Sequence, residues 1–111
     1  MIMNSVPPDE FQHLQTDTRA AASLLRVLAN EHRLGVLCAL RGGELSVGAL
    51  LEILGPSQSA LSQHLARLRA DGLVATRRTG QTIYYRIADA DVMGLIQSLA
   101  GVMHRRRHAR H

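Results

Sequence analysis

Tryptophan is absent from this 111-residue chain, which holds one phenylalanine and two tyrosines. Broad aromatic platforms for stacking single-stranded nucleic acid are therefore scarce. A single cysteine excludes a disulfide framework and any cysteine-only metal cluster within one chain. No apolar run approaches the roughly 18 residues of a membrane span, and no short apolar segment follows a basic start. The expectation is a soluble cytoplasmic protein without a membrane partner. Lysine is missing altogether: all 13 basic residues are arginine, against nine acidic ones, for a formal charge of +4 and an isoelectric point near 10.6. Arginine forks grip phosphates and guanine edges bidentately, so a polyanion is the first partner to consider. Apolar residues make up 46%, enough for a core, but a domain this small leaves much surface uncovered, and dimerisation is a common remedy.

Three segments follow from the patterning. Residues 1–15 read as a flexible N-terminal tail, because Pro7-Pro8-Asp9-Glu10 breaks local order; Phe11 and Leu14 are its candidates for packing. Residues 16–104 read as one domain, and 105–111 as a basic C-terminal tail. Within the domain, Thr16 reads as the cap of a first helix, Asp17 to Ala29, with Ala21, Leu24, Leu25 and Leu28 on one face. Asn30 caps a second helix, Glu31 to Leu40, stopped by Arg41-Gly42-Gly43. Ser46 caps a third, Val47 to Leu54, stopped by Gly55-Pro56. Ser57 caps a fourth, Gln58 to about Asp71. Two short helices joined by a tight turn suggest a helix-turn-helix. The period then becomes strand-like. Leu73 to Arg78 and Thr82 to Ile87 are joined through Thr79-Gly80-Gln81 as a hairpin. Asp89 caps a last helix, Ala90 to about His104, carrying the stripe Val92, Leu95, Ile96, Leu99, Val102 and Met103. The fold class implied is mainly α with a β-hairpin wing: a winged helix-turn-helix with an extra terminal helix.

The fourth helix carries the chemistry. Leu61, Leu65 and Leu68 must face the core, leaving Ser59, Ser62, Gln63, Ala66 and Arg67 outside. That outer side is small, polar and free of acid until Asp71. Short hydroxyls let a helix sink into the major groove, and glutamine can read adenine bidentately. The bland alternative is a solvated face, but such faces usually carry Glu and Lys. With Ser57 and Gln58 at its start, and His64 at the edge of the apolar face as either a phosphate contact or a core hydrogen-bonding group, this helix is the candidate reader of double-stranded DNA. The hairpin sets Arg77, Arg78 and Arg86 around a small turn with Gln81 and no acid. That composition suits a wing on the sugar-phosphate backbone or in the minor groove, or else a solvated basic edge that deters aggregation. One of Tyr84 and Tyr85 should be core, since they point to opposite faces.

The strings Leu28-Ala29-Asn30-Glu31-His32-Arg33-Leu34, Gly43-Glu44-Leu45-Ser46-Val47-Gly48-Ala49-Leu50, Ser57-Gln58-Ser59-Ala60-Leu61-Ser62-Gln63-His64-Leu65 and Gly72-Leu73-Val74-Ala75-Thr76-Arg77-Arg78 resemble the ArsR/SmtB family of bacterial repressors. The likeness spans about residues 18 to 103. It implies a homodimer joined through the first and last helices, binding imperfect inverted repeats and released by an inducer.

The inducer classes of the family can be tested on this sequence. The metalloid type resembles a Cys-Val-Cys run where this chain has Ser46-Val47-Gly48. The last-helix zinc type pairs early Asp and His with later His and Glu. Here the positions hold Asp89, Asp91, Val102 and Arg105, a poor zinc set. His104 and His108 stand four apart, but arginines surround them, so no metal site and no cofactor are expected. The resemblance is nearest to the redox- and persulfide-sensing, BigR/HlyU-like branch. That branch pairs a cysteine in the second helix with one late in the last helix. Cys38 matches the first and His104 falls at the second, so a two-thiol switch within the chain is excluded. What remains is a one-thiol sensor with His104 favouring its thiolate, a small buried residue that senses nothing, or a partner cysteine that has been replaced.

The function these readings imply is a homodimeric DNA-binding transcriptional repressor, with a small inducer acting through Cys38. A metal-responsive repressor of the same family and a winged-helix protein-interaction module are the alternatives. No nucleophile–base constellation or phosphate loop supports an enzyme.

Overall fold

The computed structural model describes residues 8–55 and 57–109. These form α1 (Pro8–Leu28), α2 (Glu31–Ala39), a 3-10 turn (Leu40–Gly42), β1 (Leu45–Ser46), α3 (Val47–Leu54), α4 (Gln58–Ala70), β2 (Val74–Thr79), β3 (Thr82–Ile87) and α5 (Ala90–Ala109). Residues 1–7 of the expected tail, the Phe11 side chain, Pro56 and the last two basic-tail residues lie outside the described part.

Short polar side chains start four of the helices by accepting backbone N–H groups that the first turn leaves unpaired. Asn30 Oδ1 accepts from His32 and Arg33, each at 3.0 Å. Ser46 Oγ accepts from Ala49 at 3.1 Å, Ser57 Oγ from Ala60 at 3.2 Å and Asp89 Oδ1 from Val92 at 2.8 Å. All four are caps expected from sequence. Gly55 ends α3 with φ 76°, a left-handed conformation that favours glycine, so α4 can begin three residues later.

The leucine pattern closes one core. Leu61, Leu65 and Leu68 of α4 are fully buried with Val36 and Leu37 of α2, Leu50 of α3 and Ile96 of α5. Val74 and Ile87, paired across β2 and β3, cover one end. Burying each such side chain contributes about 1.5–3 kcal/mol, which fixes α4 with its leucines inward and its polar side outward.

Three elements differ from the expectation. The first helix begins at Pro8, not Asp17, so residues 8–15 are helical and Thr16 lies inside the helix instead of capping it. Proline is accepted in a first helical turn, where its missing N–H is no loss, and Asp9 suits the positive end of the helix dipole. The last helix continues to Ala109, with Arg106, Arg107 and His108 in its final turn, where cations face the negative end of the dipole. The hairpin is part of a three-stranded sheet of order β1-β3-β2. The added strand, Leu45–Ser46, pairs antiparallel with Tyr85 and Tyr84. The hairpin turn is Gly80-Gln81, two residues between the paired Thr79 and Thr82, with Gly80 at φ 62° as such a tight turn requires.

Candidate nucleic-acid interface

The caps and leucines of α4 determine which side chains leave the molecule. Ser57, Gln58, Ser59, Ser62, Gln63 and Arg67 are exposed, and His64 is half-buried. Ser57 is occupied as the helix cap and stands 3.3 Å from the Ser59 hydroxyl. Arg67 donates Nε–H to Asp71 Oδ2 at 2.7 Å, an exposed pair one helical turn apart. Such pairs contribute about 0.3–0.5 kcal/mol, little enough for a phosphate to replace.

A groove of about 1010 Å³ runs between α4 and the wing, lined by Gln58, Ser62, Ala66 and Arg69 on one side and by Gln81, Thr82, Ile83 and Tyr85 on the other. Ser46 and Gly48, at the start of α3, close its floor. Sequence reasoning missed Arg69 and the α3 residues. The signal for Arg69 was present, because Ser62, Ala66 and Arg69 recur at i, i+4 and i+7 and so share a face.

Strand register separates the wing's charges. Arg78 pairs with Ile83, while Arg77 pairs with Tyr84, and paired residues share a face. Ile83 lines the groove, so Arg78 lies on the α4 side. Its Nε–H goes to the Gly80 carbonyl at 3.0 Å. Arg77 lies on the outer face, with its guanidinium 4.7 Å from the centre of the Tyr84 ring. Its Nε–H reaches Glu44 Oε1 at 3.0 Å and Oε2 at 3.3 Å, its Nη2 donates to Oε1, and its Nη1 donates to Thr79 Oγ1 at 2.6 Å. Hydrogen bonding to Arg77 holds the Glu44 carboxyl below its ordinary range, and the same pair raises Arg77. Arg86, on the strand next to Ala75, shares the outer face. Tyr85 is the tyrosine that packs against the core.

His64 faces α2. Its ring stacks on His32 with centroids 5.2 Å apart and planes 23° apart. Burial, then the charges of His32 and Arg33, push its pKa below the ordinary value of 6.5. Cys38 is partly buried and shares a groove of about 380 Å³ with Leu34, Arg41, Leu99, Met103 and His104. Among the described residues, no three His, Cys, Asp or Glu side chains gather as a metal site, and no helix is long and apolar enough to cross a membrane.

Residues 30–76 match the model of the bacterial regulatory protein arsR family. The chain is 48% identical to the transcriptional activator HlyU of Vibrio cholerae over 83% of its own length and 85% of that protein. It is 38% identical to a biofilm growth-associated repressor of Xylella fastidiosa, over 86% and 84% of the two chains. The solved structure of reduced HlyU from Vibrio cholerae superposes with a TM-score of 0.78 at 47% identity, covering 82% of this chain and 96% of that one. These relatives are regulators of transcription, not enzymes, and their shared winged helix-turn-helix is the architecture described above. The chain is a member of the ArsR family of bacterial regulatory proteins, with relatives in its HlyU and BigR branch.

Proposed function

We propose that the chain is a homodimeric, DNA-binding transcriptional repressor acting on inverted-repeat operators. The observation that carries the reading is the outer side of α4: exposed Ser59, Ser62 and Gln63 on a rod locked by three buried leucines, beside a groove whose far wall is the wing. Gln58, Ser59, Ser62, Gln63 and Arg67 enter the major groove, while Arg78 and Gln81 meet the flanking backbone. Ser57 and His64 belong to the same proposed set, Ser57 also capping the helix and His64 standing at its edge against His32.

The dimer is supported by what one chain leaves uncovered. Leu14 and Leu25 of α1 and Leu95 and Met103 of α5 are 54%, 56%, 39% and 49% exposed, four large apolar side chains on the two terminal helices. The radius of gyration of 17.5 Å exceeds the roughly 13 Å of a compact 100-residue domain, as expected when long helices reach out for a partner. A two-fold dimer presents its two α4 helices to successive major grooves, and occupying the promoter blocks polymerase. The division into a domain at 16–104 with flanking tails gives way, in this reading, to terminal helices that both belong to the dimer interface.

The test is a gel shift on DNA from the chain's own upstream region across a salt series. Phosphate neutralisation makes affinity fall steeply with salt. Binding that salt leaves unchanged, or no binding at all, would favour the protein-interaction module instead. A second reading concerns Cys38, favoured by the groove it shares with His104: a sulfur or redox inducer modifies this thiol and releases DNA. Peroxide or persulfide should release the wild type and spare Cys38→Ser; equal release of both would dismiss the sensor.

A further inference from the structure

Arg77 and Arg78 are neighbours in a basic wing, and composition treats them alike. Their surroundings do not. Every guanidinium nitrogen of Arg77 is engaged, two with the Glu44 carboxylate and one with the Thr79 hydroxyl, over the Tyr84 ring. The partner carboxylate stands 33 residues away in sequence, immediately before β1. Because the sheet order is β1-β3-β2, Glu44 reaches from the β1 side across Tyr84 of β3 to Arg77 of β2. Three strands are thereby tied on one face. The tie joins the hairpin to the segment whose Ser46 caps α3, and α3 is followed directly by α4.

We propose that Glu44 is a positioning residue for the wing: it takes Arg77 out of phosphate contact and fixes the hairpin so that Arg78 presents the wing's neutralising charge toward the groove. This rests on the DNA-binding reading above. Single exposed ion pairs are weak. A guanidinium whose Nε and Nη2 both converge on Glu44 Oε1, and that is also held by a hydroxyl and a ring, is restricted in geometry, and a restricted wing places Arg78 and Gln81 with less ordering cost at binding. The outer face points away from the groove that α4 shares with the wing, which favours Arg78 over Arg77 as the phosphate contact.

Fluorescence anisotropy on a duplex from the chain's own upstream region, from about 50 to about 200 mM salt, separates the two arginines. Arg78→Ala should flatten the slope of log affinity against log salt by about 1.8, the loss of one phosphate contact from each protomer of the dimer. Arg77→Ala and Glu44→Gln should keep the wild-type slope and lose about twofold to fivefold in affinity at every salt concentration, the scale of an exposed pair. Arg77→Lys, which keeps the charge but loses the fork, should behave like Arg77→Ala. The reciprocal Glu44→Arg/Arg77→Glu protein should recover more affinity than either single change. A slope flattened by Arg77→Ala as much as by Arg78→Ala, wild-type binding by Arg77→Lys, or tighter binding by Glu44→Gln overturns the proposal and leaves DNA binding standing. A wild type without salt-dependent binding overturns the DNA reading itself, and this proposal with it. Circular dichroism melts of each variant confirm that the comparison is made between folded proteins.

Discussion

Helices α4 and α5 are both amphipathic, yet they leave opposite kinds of surface unsatisfied. The first buries Leu61, Leu65 and Leu68 completely and turns serines and glutamines outward. The second buries only Ile96 fully and leaves Leu95 and Met103 in solvent. A face of small polar groups flanked by arginines has a polyanion as its complement, whereas a face of exposed leucine and methionine has another apolar surface. In the proposed reading, the same fold carries a reading helix and a joining helix, and the difference lies in which residues the core has no room for.

Substitutions on the two helices sharpen that contrast. The largest effect belongs to the core side of α4: Leu65→Ala should cost about 2–5 kcal/mol of folding stability, read from chemical denaturation. A loss below that range would mean that α4 is not anchored by its leucines. Next comes the outer side of α5. Leu95→Glu should leave the monomer folded but weaken dimerisation about tenfold or more, since a charge is then buried unpaired; sedimentation equilibrium reads this, and an unchanged dimer would remove α5 from the interface. Gln63→Ala should leave stability intact, cost about 1–3 kcal/mol in operator affinity and relax base preference at one position. Uniform weakening across sequences would contradict a base-reading role.

The smallest effect is pH-dependent and tests the seam between α4 and α2. The folded-state pKa of His64 is depressed by burial and by His32 and Arg33. Its contribution to stability is therefore complete above the unfolded value near 6.5 and is lost as pH falls below it. The Glu44 carboxyl, also depressed, contributes in the same direction but only below its ordinary value of 4.5. Thermal melts between pH 7.5 and 5.5 should show a decline that His64→Gln flattens; a decline of equal size in that variant would place its source elsewhere.

Helix starts were legible because Asn30, Ser46, Ser57 and Asp89 mark them chemically, and the α4 face was legible because period 3.6 separates its leucines from its serines. The start of α1 was not. Pro7-Pro8 and Thr16 carry local signals for a break and a cap, while the register of Pro8 as a first-turn residue is set by the helix that follows. Strand β1 is two residues long and exists only through its pairing with β3, so no periodicity could announce it. Within the site, exposure of Gln58, Ser59, Ser62 and Gln63 followed from spacing. The engagement of Arg77 with a carboxylate 33 residues earlier did not, because a string of residues shows composition along the chain and not which charges meet across a sheet.

In the proposed complex, α4 enters the major groove of a duplex as one of a two-fold pair. Methylation protection of guanine N7, a major-groove atom, measures this directly on the upstream DNA. The result expected is two protected patches about 10–10.5 base pairs apart, or a multiple of that spacing, both erased by Ser62→Glu, which adds charge and bulk to the inserted side. Binding that protects no guanine N7, or protection that survives Ser62→Glu unchanged, would contradict it.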